Sequence, residues 1–249
     1  RSVRGMDAAL LRSKEKENNF TLYSLGPDDG TVYLMLNMCQ RNRPKDGKPY
    51  VDPIKQKWFN NDKFRWAISH AIDRQSVVNN VLKGIGYPLY TCQTTASVYH
   101  NTNLEPIKCD LQMSEQLLKD AGFVKKNNEL YDSDGHRVEF GLITNSGNTV
   151  RDAVCIHIKE QLKLLGIKVN YQPIEFNTMI NRTHTSLDWE AIMMGLSGSR
   201  LEPYSGSNVW KSDGRMHEFD QRLPEEGKDI TVVNDARPWE EALADKDNM

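Results

Sequence analysis

Residues 58–84 read WFNNDKFRWAISHAIDRQSVVNNVLKG, and the rest of the chain is placed around them. Phe64, Ala67, Ile68, Ala71 and Ile72 recur at the i, i+3, i+4, i+7, i+8 spacing of one helical face, while Lys63, Arg65, Ser69 and His70 fall outside it. The spacing predicts a helix with one buried stripe. Asp62 is a suitable N-cap, Asp73 can cap a second short helix through Val77, Val78, Val81 and Leu82, and Gly84 supplies its stop. Two helices with a bend at Ala71–Asp73 need an apolar surface to lie on, and the remainder of the chain has to provide it.

The chain has 249 residues, 38% of them hydrophobic, enough for one large domain or two small ones with a real core. Its 32 Lys and Arg nearly cancel 34 Asp and Glu, so neither nucleic acid nor a membrane surface is an expected partner. No run of about 18 apolar residues is present. Residue 1 is Arg in an ordinary polar segment, so no compartment is read from a leader. Cys39, Cys92, Cys109 and Cys155 form no Cys-x-x-Cys pair and have no His at zinc-ligand spacing. Cys155 falls on an apolar helical face and reads as a buried thiol. Cys92 and Cys109 flank a loop rich in Thr, Asn and Pro; a disulfide between them is expected, which would close that loop and implies an oxidising compartment.

Phe20–Leu25 and Thr31–Met38 read as two strands joined through Gly26 and Gly30, a hairpin, after a weak helix around Met6–Leu11. Arg41–Pro53 reads as a surface loop and Ile85–Asp110 as a long irregular connection. Met113–Ala121 is a short helix with Ser114 near its N-cap and Gly122 as its stop. Glu129–Asp132 and Arg137–Thr144 are strands around Asp132-Ser133-Asp134-Gly135, a string that resembles a calcium loop but lacks the bidentate Glu such a loop needs. Val150, Val154, Ile158, Leu162 and Leu165 form the longest amphipathic helix, with Arg151, Lys159, Glu160 and Lys163 outward, followed by alternation at Ile167, Val169 and Tyr171. A helix at Thr178–Thr183 and an apolar strand Trp189–Leu196 repeat the unit. The expected class is α/β, a mixed and largely parallel sheet with helices packed on it. The expected organisation is a single lobe over 1–249, with its core at 20–196 and a loop plus irregular extension at 197–249 that includes a helix start at Pro238–Ala244.

The chemistry is sparse. His70, His100, His136, His157, His184 and His217 show no metal-ligand spacing and read as surface residues. Neither a Gly-x-Ser-x-Gly elbow nor a phosphate loop is present, so no catalytic residue, cofactor or metal is expected and an enzyme has no positive support. The better site candidate is the loop after the Trp189–Leu196 strand, because ligands of α/β sheets bind beyond the carboxyl ends of strands. Gly195, Leu196, Ser197, Gly198, Ser199, Arg200 and Glu202 gather there.

Several stretches together resemble the family 5 extracytoplasmic solute-binding proteins of peptide ABC transporters. They are Phe64-Arg65, Ala67-Ile68, Ala71-Ile72-Asp73-Arg74 and Gly84; Leu117-Leu118 with Ala121-Gly122-Phe123; the Asp132–Gly135 turn; Leu162 with Leu165–Val169; and Asp188-Trp189. The resemblance spans roughly 20–221 and implies a class II periplasmic-binding-protein-like fold, here the C-terminal lobe of a larger two-lobed receptor. It implies a monomer, periplasmic or anchored at the cell surface as a lipoprotein, that captures a peptide or peptide-like solute between lobes and delivers it to an ABC permease. A ligand-sensing receptor for peptides, nickel chelates, haem or glycosides is the alternative, and a hydrolase on the same scaffold the remote one. At the position where peptide binders of the family carry an aspartate for the ligand's α-ammonium, this chain has Ser199, and Glu202 is the nearest acid. Arg182 matches a family position near the ligand's far end, and Trp210 is a candidate for the cleft wall.

Overall fold

The computed structural model describes residues 3, 7–211 and 214–220. Its centre is a four-stranded sheet of β1 (Gly30–Leu36), β4 (Glu139–Asn145), β5 (Lys168–Ile174) and β6 (Ala191–Ser197), in the order β1-β6-β4-β5. β4 runs parallel to both β5 and β6, and β1 is an antiparallel edge on β6. The mixed, largely parallel α/β sheet expected from the sequence is therefore present.

Period-two alternation divides the sheet's side chains between two faces. Phe140 and Leu142 of β4, Val169 of β5 and Ala191 and Met193 of β6 belong to the main core; Ile143, Ile192 and Met194 belong to a second, smaller one. On the main face lie α2 (Pro53–Phe59), α3 (Asp62–Ala71), α5 (Leu111–Asp120) and α6 (Thr149–Leu164), and on the other lies α7 (Phe176–Asn181) through Met179. The 58–84 stretch finds its apolar surface here: Phe64 packs 5.3 Å from Phe123, and Phe59 meets Phe140 of β4 edge-on at 5.6 Å. The second helix is α4 (Arg74–Asn80), capped by the Asp73 side chain accepting from the Ser76 amide at 2.9 Å. Ile72 at the bend is extended.

Four local expectations are corrected. Thr31–Met38 does form a strand, but Phe20–Leu25 does not. Phe20, Tyr23 and Leu25 are 37%, 77% and 88% exposed, so pairing them would bury nothing, whereas β6 offers an apolar partner along all of β1. Asn61 rather than Asp62 caps α3, and Asp62 pairs instead with Arg65 in the first turn. Asp110 rather than Ser114 caps α5; Ser114 is fully buried and donates to the Ala67 carbonyl at 2.9 Å, fastening α5 to α3. The strand Glu129–Tyr131 (β3) pairs with Val124–Lys126 (β2) across Asn127-Asn128, both left-handed at φ +52° and +63°, and touches the following segment only in a Tyr131–Arg137 bridge. The short α2 follows the Arg41–Pro53 loop, at a place where no element was expected, with Pro53 at its start and Asp52 accepting from the Ile54 and Lys55 amides. A short helix α1 covers Ala8–Ser13. The helix start at Pro238–Ala244 lies outside the described residues.

His217 is also not a surface residue. It is fully buried, donates from Nδ1 to the Val209 carbonyl at 2.9 Å, and lies 4.2 Å from the Phe219 ring, inclined to it by 54°. The segment Gly214–Asp220 is thereby held against the main core just beyond β1, where the Met38 amide donates to the Phe219 carbonyl at 2.7 Å.

Candidate functional site

β6 delivers Leu196 and Ser197 to the carboxyl end of the sheet, and the chain beyond it is fastened on two sides. Arg200 pairs with Asp29 and donates from Nη2 to the Pro27 carbonyl at 3.1 Å, while the Gly198 amide donates to the Asp29 carbonyl at 3.0 Å. The Arg200 carbonyl in turn accepts from the Val98 amide at 3.0 Å and the Ser97 hydroxyl at 3.4 Å. Three segments more than sixty positions apart in the chain, at 27–30, 94–98 and 198–202, are thus stapled into one rim. Arg200 is among the residues the sequence gathers after β6, but its partner Asp29 was not singled out, because their spacing follows no local period.

The rim borders a cleft of about 910 Å³ that runs between the main face of the sheet and the helices. Leu196, Ser197, Ser199, Glu202 and Trp210 all line it; Gly195 and Arg182 do not. The opposite wall carries Arg74, Tyr87, Tyr90 and Cys92, which sequence reading did not assign to a site. Their signal was masked by their setting: Arg74 reads as an ordinary first-turn residue, and the tyrosines lie in an aperiodic connection.

Ser199 and Glu202 have visible local roles. The Ser199 hydroxyl accepts from the Glu202 amide at 3.1 Å, and Glu202 Oε1 accepts from the Tyr204 amide at 2.9 Å, capping the single turn Pro203–Gly206. That cap holds the carboxylate at the rim. Trp210, in α8 (Ser207–Trp210), packs 6.1 Å from Phe219, so its ring joins the cleft wall to the main core.

Gly195 is needed for close approach. A Cβ there would stand 2.9 Å from the Thr31 carbonyl oxygen and 2.8 Å from Arg151 Nη2. Arg151, expected to point outward, is half-buried, donating from Nη1 to Asn145 Oδ1 at 2.6 Å across the carboxyl ends of β4 and β6. Arg182 sits at the end of α7, where the helix widens into a π turn through Ser186.

Cys92 and Cys109 are both free and exposed, so the expected disulfide is absent from this structure; Cys109 Sγ instead lies 3.9 Å from the Ala71 carbonyl. Asp132, Asp134 and His136 are the only group among the described residues whose ligand atoms gather within 4.8 Å. Asp132 is fully engaged in shaping its turn, accepting from the amides of Asp134 and His136 and from Trp58 Nε1 at 2.9 Å. Burial pushes its carboxyl up, but the hydrogen bonds from His136 and Trp58 hold it below the usual value.

Residues 3–218 match the profile of the bacterial extracellular solute-binding proteins, family 5, middle region. A probable ABC transporter-binding protein of Deinococcus radiodurans is 32% identical over 184 residues, covering 68% of this chain and 31% of the relative. The oligopeptide-binding protein AppA of Bacillus subtilis is 32% identical over 147 residues, covering 57% of this chain and 27% of AppA. AppA's structure in complex with a nonapeptide superposes with a TM-score of 0.70 at 25% identity, over 89% of this chain and 41% of that one. The periplasmic binding protein MelB of Agrobacterium fabrum, in complex with stachyose, shares the fold with a TM-score of 0.74 at 17% identity, over 97% of this chain and 36% of that one. The chain spans about a third of the length of the curated relatives it matches.

Proposed function

Because the chain belongs to family 5 of the bacterial extracellular solute-binding proteins, we propose that it is one lobe of a two-lobed receptor that captures peptides for an ABC permease. In this reading the stapled rim and the cleft beneath it form this lobe's share of the binding surface, a second lobe closes over them, and the closed complex is offered to the permease in an extracytoplasmic compartment. Capture is a change of shape in which no bond of the solute is broken.

The observation that carries the reading is the coincidence of site and cleft. Five of the residues singled out around the carboxyl end of β6 line one cavity of about 910 Å³, of the size that takes a small organic solute. Aromatic and apolar groups dominate its walls, and the charged residues fall in separate places, Arg65 and Arg74 on the helical side and Asp28, Asp29 and Glu202 on the rim. Walls of that kind accept varied side chains while a few polar groups fix orientation. The likeness to a protein seen with a nonapeptide favours peptides over the other solutes the fold accommodates.

Native mass spectrometry of the full-length receptor, purified without refolding, tests this. Co-purifying peptide mass, released intact on denaturation, is the expected result. A receptor that carries no peptide and binds none from a peptide pool by calorimetry overturns the reading, and recovery of cleaved peptide would make the protein a hydrolase.

A further inference from the structure

Arg74 opens α4 on the helical wall of the cleft and is half-buried there. Its guanidinium is gripped from one side. Nη1 donates to the Ser69 carbonyl at 3.0 Å and, more distantly, to the Ile72 carbonyl at 3.4 Å, and Nη2 donates to the Ser69 hydroxyl at 2.8 Å. Tyr90 lies beside the guanidinium, its ring centroid 5.5 Å from Cζ.

A guanidinium offers its hydrogens in forks, one at its end between Nη1 and Nη2 and one along its side between Nε and Nη2. Ser69, through its carbonyl and hydroxyl, takes the end fork. The side fork, made by Nε–H and the second Nη2–H, meets no acceptor among the described residues. Nor does any described carboxylate form an ion pair with Arg74: burial works against its charge, and the groups that oppose that effect are Tyr90 and Cys109, neither of them a carboxylate. Burying a cation without a counter-charge is costly, and a wall that holds one rigidly gains most when a ligand brings the anion.

The acids around the cleft are elsewhere. Asp28 and Asp29 lie on the rim, Asp29 engaged by Arg200, and Glu202 stands beyond β6; the other cation of the cleft, Arg65, is paired with Asp62. The cleft therefore has a cationic place on α4 and an acidic place on the sheet-end loop, the arrangement that suits a solute with charges of both signs.

We propose that the side fork of Arg74 receives a carboxylate of the bound solute, which makes the cleft selective for carboxylate-bearing ligands. The inference rests on the cleft being a solute site, and it adds to that reading the chemical class of the ligand and the residue that selects it. The end fork and Tyr90 fix the plane of the guanidinium, so the carboxylate is read by two parallel hydrogen bonds and not by charge alone.

The test is calorimetry on the full-length receptor with three pools of three- to nine-residue peptides: without Asp or Glu as free acids, the same peptides as C-terminal amides, and amides carrying one Glu. The wild type is expected to prefer free acids over plain amides by about tenfold or more. R74Q should bind the free acids as weakly as the wild type binds the amides, and R74K, which keeps the charge but has no planar fork, should recover only part of the preference. Preference for the Glu-bearing amides over the plain ones, lost in R74Q, assigns the fork to a side-chain carboxylate; its restriction to free acids assigns it to the C-terminus. Equal binding of all three pools by the wild type, or an undiminished preference in R74Q, overturns the Arg74 assignment and leaves the receptor reading standing. Binding of no pool by the wild type overturns both. Where R74Q melts well below the wild type, R74K carries the same comparison.

Discussion

His184 Nε2 lies 2.9 Å from Oε1 of Glu218, a carboxylate only 2% exposed, and the pair ties the π turn after α7 to the docked segment Gly214–Asp220. The Glu218 carboxylate raises the imidazole pKa above its ordinary value, against the opposing effect of burial. A group whose pKa is raised on folding contributes stability that is fully present below its unfolded value and is lost as pH rises through its folded one. The melting temperature is therefore expected to fall as pH rises from about 6.5, and the same decline should be missing in H184Q. At low pH, H184A should cost about 1–2 kcal/mol, less than a fully buried pair because the imidazole keeps some access to solvent. Thermal melts of the three proteins across pH 5.5–8.5 check both statements, and parallel wild-type and H184Q profiles would refute them.

Gly195 bears on stability more directly than on binding. In G195A the new methyl group meets the Thr31 carbonyl oxygen of the neighbouring strand at 2.9 Å, an atom that cannot turn aside as a side chain can. The β1–β6 pairing should loosen at a cost of about 1–3 kcal/mol, measurable by urea denaturation. Unchanged stability would mean that the two strands separate at that point without penalty.

Glu202 separates two roles that the sequence merges. In E202Q the amide oxygen still accepts from the Tyr204 amide, so stability should stay within about 0.5 kcal/mol of wild type. If the carboxylate meets a ligand's ammonium, affinity for free-amine peptides in the full-length receptor should drop about tenfold, while N-acetylated peptides are unaffected. Calorimetry with the two peptide forms decides it, and equal affinities in wild type and E202Q would remove Glu202 from the binding groups.

Thiol chemistry provides a check on the cysteines. Cys39 and Cys155 are fully buried, and burial pushes the Cys155 thiol up to about 12, whereas Cys92 and Cys109 are exposed. Two thiols should react quickly in the native protein and four after denaturation without reductant. A total of two on denaturation would establish the Cys92–Cys109 disulfide that this structure lacks.

The elements with a strong period of their own were legible in the sequence. The stripe from Phe64 to Ile72, the helix from Val150 to Leu162, the alternations along β4 and β5 and the apolar run of β6 each had to be buried, which also set the α/β class and carried the likeness to family 5. Where the signal lay in single polar groups, neighbours competed for the same role. Asn61 and Asp62 both suit a cap, as do Asp110 and Ser114, and only the packed helix decides which side chain reaches the free amide.

The candidate site was legible along one strand and hidden across the fold. The loop after β6 announced itself by its glycines and serines, and Leu196, Ser197, Ser199, Glu202 and Trp210 do share a cleft. The antiparallel union of β1 with β6 and the Arg200–Asp29 staple join residues more than a hundred and fifty positions apart, and only the packed fold brings Arg74, held by Ser69, to the wall of the same cleft. Sequence determines which faces must be buried, because the hydrophobic effect acts on each segment's own periodicity. Which charged groups meet at the cleft is decided only once those faces have packed, since hydrogen bonds and ion pairs require distances that no spacing along the chain specifies.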